Sequence, residues 1–199
     1  MSATGRGAKR IANDCYPTPA WCVHRLLEAT SLPGGHWLEP AAGEGAIIRA
    51  VNEHRRDVVW SAIDIRETAG ALNPLGVVPL VGDFLKMPSN GAQLYDVAIS
   101  NPPYSDAFEF IETSLRMARH VLMLLRLNFL ASERRAAAMR SWKPDVYVLP
   151  NRPSFVPSGG KKGATDSTEY AWFHFKHNEL IRTGYLSVLA TTPKEIRRG

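Results

Sequence analysis

The chain has 199 residues, of which 45% are hydrophobic and 22% charged, a composition typical of a soluble globular domain that excludes a chain disordered throughout. The longest apolar run, residues 121–131, is interrupted by Arg126 and Asn128 and is far shorter than the roughly 20 residues that span a bilayer. The formal net charge of +5 only weakly favours a polyanionic partner. The basic N-terminus is followed by no apolar segment of the secretory type, so we expect a cytoplasmic protein with no membrane partner.

Strand-like and helix-like segments alternate along the chain. In chain order, the spacing of apolar residues predicts a helix at 19–29, a strand at 36–39, a helix through Ile47, Ile48 and Val51, strands at 58–65, 77–81 and 95–100, a helix at 107–119, a strand at 120–127, a helix at 131–140, and strands at 146–149 and 170–175. Near-continuous apolar strands separated by helices are typical of a parallel sheet that is covered on both faces. We therefore predict an α/β protein with a Rossmann-like, doubly wound, mostly parallel sheet.

The same survey indicates one domain over residues 1–199, with no separate target-recognition domain. Residues 1–13 are expected to form a flexible basic tail, and residues 191–199 a second one. Residues 151–168 are rich in Gly, Pro, Ser and Lys and are expected to form a mobile loop, because they are too polar for a core element.

Polar residues follow each of the first four predicted strands. The segment 39–45 follows the first strand, Asp64 and Asp83 end the next two, and the segment 101–104 follows the fourth. Ligands of an open α/β sheet bind beyond the carboxyl ends of the strands, so we expect these residues to meet at one edge. Taken singly, each also fits a structural role in capping or in strand-to-helix packing.

The segment 39–45 is a glycine-containing turn between a strand and a helix. Gly43 and Gly45 would let a nucleotide-like ligand approach the backbone, and Asp64 is placed to accept hydrogen bonds from ribose hydroxyls. Ile48 stands at the third glycine of the dinucleotide-binding pattern, which disfavours a pyrophosphate ligand.

The most specific motif is Asn101-Pro102-Pro103-Tyr104. Its two prolines fix successive φ angles and remove two backbone donors. The strand therefore ends in a rigid group of oxygen acceptors, the Asn101 side chain and the backbone carbonyls, which suits a ligand that donates N–H bonds. Tyr104 offers a flat face on which a base can stack. A simple proline turn that closes the strand is the alternative.

Three basic pairs are candidate phosphate contacts. Arg55-Arg56 and Arg134-Arg135 fall on predicted helices and are expected to be solvated, whereas Lys161-Lys162 lies in the polar loop and is favoured as a nucleic-acid contact. Among the histidines we consider only His174 and His177 as a pair. Their spacing puts them on opposite faces of a strand, so we predict no metal site.

Together these motifs resemble those of S-adenosylmethionine-dependent methyltransferases that modify exocyclic or amide nitrogens, most closely the DNA adenine N6 methyltransferases. Asp14-Cys15-Tyr16-Pro17-Thr18-Pro19 is similar to the family's N-terminal cofactor motif, residues 38–45 to its glycine loop, and residues 101–104 to its catalytic motif. Ala41 stands where the family commonly has a glycine. The resemblance covers most of the chain, and it implies the class I methyltransferase type of fold, with a last antiparallel strand.

The resemblance also implies a role for each site residue. The implied S-adenosylmethionine site consists of Tyr16, Thr18 and Pro19 at the methionine end, Glu39, Pro40, Ala41, Gly43 and Gly45 in the glycine loop, Asp64 and Ile65 at the ribose, Asp83 and Phe84 at the adenine, and Asn101. The implied catalytic residues are Asn101, Pro102, Pro103 and Tyr104. The target base is expected to meet Tyr104, Phe108 and Phe155, to which Lys161 and Lys162 add an expected contact with DNA.

The implied reaction is methyl transfer to adenine N6 in a base flipped out of DNA. The Asn101 side chain and the Pro102 carbonyl would accept the two N–H bonds of the amine, and positioning would supply much of the acceleration. An N-methyltransferase acting on an RNA base or a protein glutamine amide, and a non-catalytic methyltransferase-like subunit, remain alternatives. Target recognition by a partner subunit or within a homodimer also remains open.

Overall fold

The structure is a computed structural model that describes residues 17–88, 94–155, 168–176 and 184–197. The helices are α1 (Ala20–Ala29), α2 (Ala46–His54), α3 (Ala69–Leu72), α4 (Ala107–Leu115), α5 (Glu133–Trp142) and α6 (Lys194–Arg197). The strands are β1 (Gly35–Glu39), β2 (Val58–Asp64), β3 (Leu80–Val81), β4 (Tyr95–Ser100), β5 (Ala118–Arg126), β6 (Asp145–Val148), β7 (Tyr170–Lys176) and β8 (Leu186–Val188). Short 3₁₀ turns occupy Asn73–Leu75, Phe84–Lys86 and Leu127–Phe129. The predicted tail at 1–13 and most of the predicted loop at 151–168 lie outside the described residues.

The described strands form one eight-stranded sheet in the order β3-β2-β1-β4-β5-β7-β6-β8. Neighbours from β3 to β5 are parallel, whereas β7 is antiparallel to both β5 and β6. The predicted α/β class, with a doubly wound, mostly parallel sheet and an antiparallel strand, is confirmed. The antiparallel strand is not the last one, because β8 follows it and pairs in parallel with β6.

Both faces of the sheet are covered, and successive residues of a central strand enter opposite cores. In β4, Val97 and Ile99 join the core under α1 and α2, while Ala98 joins the core under α4. Burial of each large apolar side chain contributes about 1.5–3 kcal/mol, so both cores stabilise the sheet. The central strands are near-continuous apolar runs because neither of their faces meets water. None of the helices in the described part of the chain has the length and apolarity that crossing a membrane requires.

The predicted boundary between α4 and β5 is wrong. The helix at 107–119 ends at Leu115, because the N–H of Arg116 turns back to the Thr113 carbonyl at 3.2 Å. Ala118 already pairs with Tyr95 of β4. The strand therefore begins two residues earlier than the apolar run suggested.

The predicted strand at 77–81 is reduced to Leu80–Val81. Pro79 has no N–H to donate to a neighbouring strand, and Val77 instead packs in a small core cluster with Leu72. The prediction of a tail from residue 191 is also wrong for the described part, where α6 follows a docked segment. There the buried Thr192 donates its N–H to Asn151 Oδ1 at 2.7 Å.

Candidate functional site

The carboxyl ends of β1, β2, β4 and β5 share one edge of the sheet, since these strands are parallel neighbours. The order of the strands along the chain reverses between β1 and β4, and such a switch point is where open α/β sheets bind ligands. Leu38 pairs with Ala98. The glycine loop after β1 therefore lies beside the motif that follows β4.

Backbone hydrogen bonds hold the glycine loop, both within the loop and to β2. The N–H of Ala42 donates to the Ile63 carbonyl at 2.9 Å, and the N–H of Gly45 donates to the Ala42 carbonyl at 2.8 Å. Gly43 and Gly45 have φ angles of 51° and 76°, a region that glycine adopts without strain. A Cβ on Gly45 would lie 2.5 Å from Leu72 Cδ2, so the missing side chain of this glycine makes room for the core.

Asp64 ties this loop to the end of β2. Its Oδ2 accepts the N–H of Gly43 at 2.7 Å, and its Oδ1 accepts the N–H and Nε–H of Arg66 at 2.9 and 3.0 Å. Burial raises the pKa of Asp64, but the bonds from Arg66 and Gly43 outweigh that effect and leave the pKa below its usual value. A fourth bond, from an Arg66 NH₂ group to Oδ2 at 3.2 Å, brings the bonds that Asp64 accepts to the roughly four that an ionised carboxylate can take, so a ligand hydroxyl would replace one of the bonds from Arg66.

The other acidic residues of the edge differ in exposure. Glu39 ends β1 and is 2% exposed, whereas Asp83 follows β3 and is half-buried. The Asp83 carboxylate accepts the Leu85 N–H and pairs with Lys86 at 3.0 Å. The hydrogen bond from Lys86 lowers the pKa of Asp83. Asp83 therefore caps the 3₁₀ turn Phe84–Lys86, which is the structural role that the sequence also allowed. It lies at the carboxyl end of β3, as predicted.

Among the remaining residues implied for the cofactor, Ile65 is 62% exposed beside Asp64, and Phe84 is 2% exposed and packs on Phe110 with ring centroids 5.3 Å apart. Pro40 is buried and Ala41 is half-buried. Thr18 is buried, and Pro19 precedes α1. Tyr16, Lys161 and Lys162 lie outside the described residues.

The Asn101-Pro102-Pro103-Tyr104 motif forms a turn between β4 and α4. Asn101 is half-buried, Pro102 is buried, and Pro103 is exposed. The turn is closed by the Asp106 N–H, which donates to the Pro103 carbonyl at 3.0 Å. This closing bond uses the Pro103 carbonyl. It does not use the Pro102 carbonyl, which we expect to accept a hydrogen bond from the target amine.

Three aromatic residues cluster beside this turn. The rings of Tyr104 and Tyr170 are 5.9 Å apart, and Phe155 meets Tyr170 edge-on at 5.1 Å. The structure thus brings Phe155 close to the motif across 51 residues of sequence, from position 104 to position 155. Phe108, in contrast, stacks on Trp142 at 5.4 Å and joins α4 to α5.

An open cavity of about 200 Å³ adjoins Tyr104 at the carboxyl end of β5. We call it the arginine cavity; it is lined by Tyr104, Ser105, Ala107, Leu125, Arg126, Asn128, Phe129 and Arg135. Our sequence interpretation missed it. Arg126 and Asn128 interrupt the apolar run where β5 ends, so the rule that found the polar ends of the first four strands would also have found them. Nothing in the sequence singles out Tyr170.

The basic pairs were partly misplaced. Arg55 does not lie on a helix, because α2 ends at His54; its guanidinium lies 5.4 Å from the Trp37 ring and pairs with Asp57 at 2.6 Å. Arg134 and Arg135 lie on α5 as predicted. Arg134 is solvent-exposed, but Arg135 is half-buried and lines the arginine cavity, because it packs on a ring from the preceding turn.

A group of metal-type donors was also missed. His24, Glu53 and His54 bring one ligand atom each to within 4.8 Å of one another. His24 is on α1 and the other two end α2. Because α2 starts at the glycine loop, this group lies at the opposite edge of the sheet. His177, which we considered with His174, lies outside the described residues.

No protein-family model and no curated protein matches the sequence, but solved structures match the fold. A candidate RNA methyltransferase from Pyrococcus horikoshii is 17% identical, with a TM-score of 0.62 over 89% of this chain and 91% of that chain. The modification subunit of a candidate type I restriction enzyme from Vibrio vulnificus is 16% identical, with a TM-score of 0.61 over 89% of this chain and 46% of that chain.

A third structure, an S-adenosylmethionine-dependent O-methyltransferase from Thermotoga maritima, is 15% identical, with a TM-score of 0.56 over 88% of this chain and 69% of that chain. The fold is therefore the Rossmann-like fold of class I methyltransferases, as the motifs implied. S-adenosylmethionine is the cofactor that this fold leads one to expect.

Proposed function

We propose that this chain is an S-adenosylmethionine-dependent methyltransferase that acts on the exocyclic N6 of adenine in DNA, with the target base flipped out of the duplex. The observation that carries the proposal is the position of Asn101-Pro102-Pro103-Tyr104 at the switch point, directly beside the glycine loop. An acceptor for N–H groups and a loop for a nucleoside thus share one edge of the sheet.

The acidic residues at the carboxyl ends of β1, β2 and β3 fit the cofactor. Carboxylates accept hydrogen bonds from the hydroxyl and amine groups of a nucleoside and attract a cationic ligand, and Glu39, Asp64 and Asp83 stand at this edge. The bond from Gly43 holds Asp64 in place. Carboxylates would repel a pyrophosphate, so the edge suits S-adenosylmethionine better than a dinucleotide.

When bound, S-adenosylmethionine supplies a methyl group on a positively charged sulfur. Asn101 and Pro102 would accept the two N–H bonds of the target amine and draw its lone pair out of conjugation with the ring. No strong base is required, because the nitrogen would become cationic on methylation and would then release a proton to water; the work of these residues is to orient and polarise the amine. Tyr104 would stack on the flipped base and replace part of the stacking lost from the duplex, worth roughly 1–3 kcal/mol.

A tritiated-methyl transfer assay tests the proposal. The acceptors are duplex DNA, the same DNA with every adenine replaced by N6-methyladenine, an RNA of the same sequence, and a glutamine-bearing release factor. We expect label only in unmethylated DNA, and none with the Asn101→Ala variant. Label in the N6-methyladenine DNA, or equal label with wild type and variant, would contradict adenine N6 as the acceptor.

Methyl transfer to an RNA base is the second candidate. It is favoured by the fold similarity to the candidate RNA methyltransferase of Pyrococcus horikoshii, and a base amine in RNA poses the same chemical problem to Asn101. Preferential labelling of the RNA strand in the same assay would select it.

A further inference from the structure

The arginine cavity presents two fixed guanidinium groups. The Arg126 guanidinium carbon lies 5.0 Å from the centre of the Tyr104 ring, and its Nε donates to Tyr170 Oη at 3.4 Å. The Arg135 guanidinium carbon lies 4.3 Å from the centre of the Phe129 ring, and its Nε donates to the Phe129 carbonyl at 3.0 Å. Stacking and the Nε bonds orient both groups before any ligand arrives, which lowers the entropic cost of binding.

The two charged residues that line the cavity are both arginines. None of the described residues that line it is acidic. Arg134, the neighbour of Arg135 on α5, lies outside the lining and pairs with Glu109 at 3.3 Å. Asn128 and Ser105 add neutral donors to the lining. This combination of planar cations and neutral donors is typical of a site for a phosphate group.

The position of the cavity defines which phosphate it would take. Tyr104 belongs to both the catalytic motif and the cavity lining, so a base stacked on its ring carries its own backbone past the arginines. We propose that the arginine cavity binds a backbone phosphate of the DNA strand that carries the target adenine. The inference rests on the proposed function and deepens it, because it requires a phosphodiester polymer as substrate and excludes a protein amide.

Two neighbouring arginines provide a matched pair of variants. Arg135→Ala removes a cavity cation, whereas Arg134→Ala removes an equal charge from the same helix outside the cavity. Fluorescence anisotropy with a labelled adenine-containing oligonucleotide gives Kd over a series of KCl concentrations. For Arg135→Ala we expect an affinity loss of about tenfold and a salt slope shallower by about 0.7–0.9, as for one lost phosphate contact. For Arg134→Ala we expect less than about a twofold change, as for an exposed ion pair.

Neutral phosphates test the contact directly. Oligonucleotides that carry a methylphosphonate at a single linkage on either side of the adenine are compared with the unmodified strand. At one of these linkages the methylphosphonate should weaken binding to the wild type about tenfold, the same loss that Arg135→Ala causes with the unmodified strand. The same methylphosphonate should not weaken binding to the Arg135→Ala variant any further. Arg135→Lys, which keeps the charge, should recover part of the affinity.

Equal affinities and salt slopes for Arg135→Ala and Arg134→Ala, or additive losses in the methylphosphonate cycle, would overturn the phosphate site. If the wild type meanwhile methylates adenine in DNA, the proposed function stands without it. Conversely, a wild type that transfers no methyl group while Arg135→Ala selectively weakens DNA binding would reject the proposed function and keep the phosphate site. A wild type that prefers the RNA oligonucleotide by more than tenfold would reject DNA as the bound polymer.

Discussion

The ligand edge of the sheet has two halves that are built differently. The half after β1, β2 and β3 carries carboxylates that are tied to the protein, such as Asp64, which holds Gly43 and Arg66. The half after β4 and β5 carries Asn101, an aromatic cluster and a cavity lined by arginines. In the proposed function, the first half would hold the cationic nucleoside and the second half the target base with its phosphate backbone.

This difference affects how each half responds to substitution. Residues of the first half hold a loop in a glycine-dependent conformation, so changing them disturbs both the fold and the ligand site. Residues of the second half surround an open cavity, so changing them should alter acceptor binding with less effect on folding. The predictions below test that separation.

The largest effect is expected at the boundary between the halves. Asn101→Ala removes the proposed side-chain acceptor for the target amine and should lower the rate of methyl transfer by about 10²–10³-fold, the range for one oriented catalytic hydrogen-bonding group. S-adenosylmethionine affinity by calorimetry should change little. Asn101→Asp keeps an acceptor oxygen, so it should retain a measurable rate; an Asp variant as inactive as the Ala variant would argue against the acceptor role.

Gly45→Ala should destabilise the first half strongly. The φ angle of 76° is strained for alanine, and the new Cβ would meet Leu72 Cδ2 at 2.5 Å, which together cost about 2–4 kcal/mol in the free energy of unfolding. Gly76 is the control, because it has a φ of 74° with nothing within 4 Å of a Cβ. Gly76→Ala should cost only about 1 kcal/mol, as measured by urea unfolding. Equal losses would show that the contact with Leu72 is unimportant.

Asp64→Asn places an amide NH₂ against donors from Gly43 or Arg66 and should cost about 1.5–3 kcal/mol at pH 7. The pKa of Asp64 is lowered by folding, so its contribution is complete above the unfolded pKa of about 3.9 and is lost as the pH falls through the folded value. The gap in unfolding free energy between wild type and variant should therefore narrow below about pH 4.

Asp106→Asn serves as the comparison for Asp64→Asn. Asp106 is exposed and caps α4 with no side-chain hydrogen bond, so this variant should keep nearly wild-type stability at every pH. If the difference in unfolding free energy between wild type and Asp64→Asn stays constant from about pH 7 to about pH 3, the ionised Asp64 carboxylate does not stabilise the fold.

Most of the sheet and the first half of the edge could be predicted from sequence, because local patterns define them. The strand at 95–100 was predicted to the residue, since apolar periodicity ends there at a proline motif. By contrast, β8 is a three-residue edge strand with no pattern of its own, and it exists because β6 offers it a partner. Arg135 could not be placed in a cavity, because its burial depends on Phe129 in another element.

The smallest effect is expected at Phe155, where the aromatic cluster tests the second half alone. Phe155→Leu keeps an apolar side chain against Tyr170 but loses a ring that could face the target base, so KM for DNA should rise by about five- to tenfold, the weight of one stacking partner. Phe108→Leu is the comparison, because Phe108 was also expected at the target base but its ring packs on Trp142, whereas the Phe155 ring packs on Tyr170 beside Tyr104. Phe108→Leu should leave KM near the wild-type value. Steady-state kinetics with oligonucleotide acceptors separates the two, and equal rises in KM would mean that Phe155 acts only through packing.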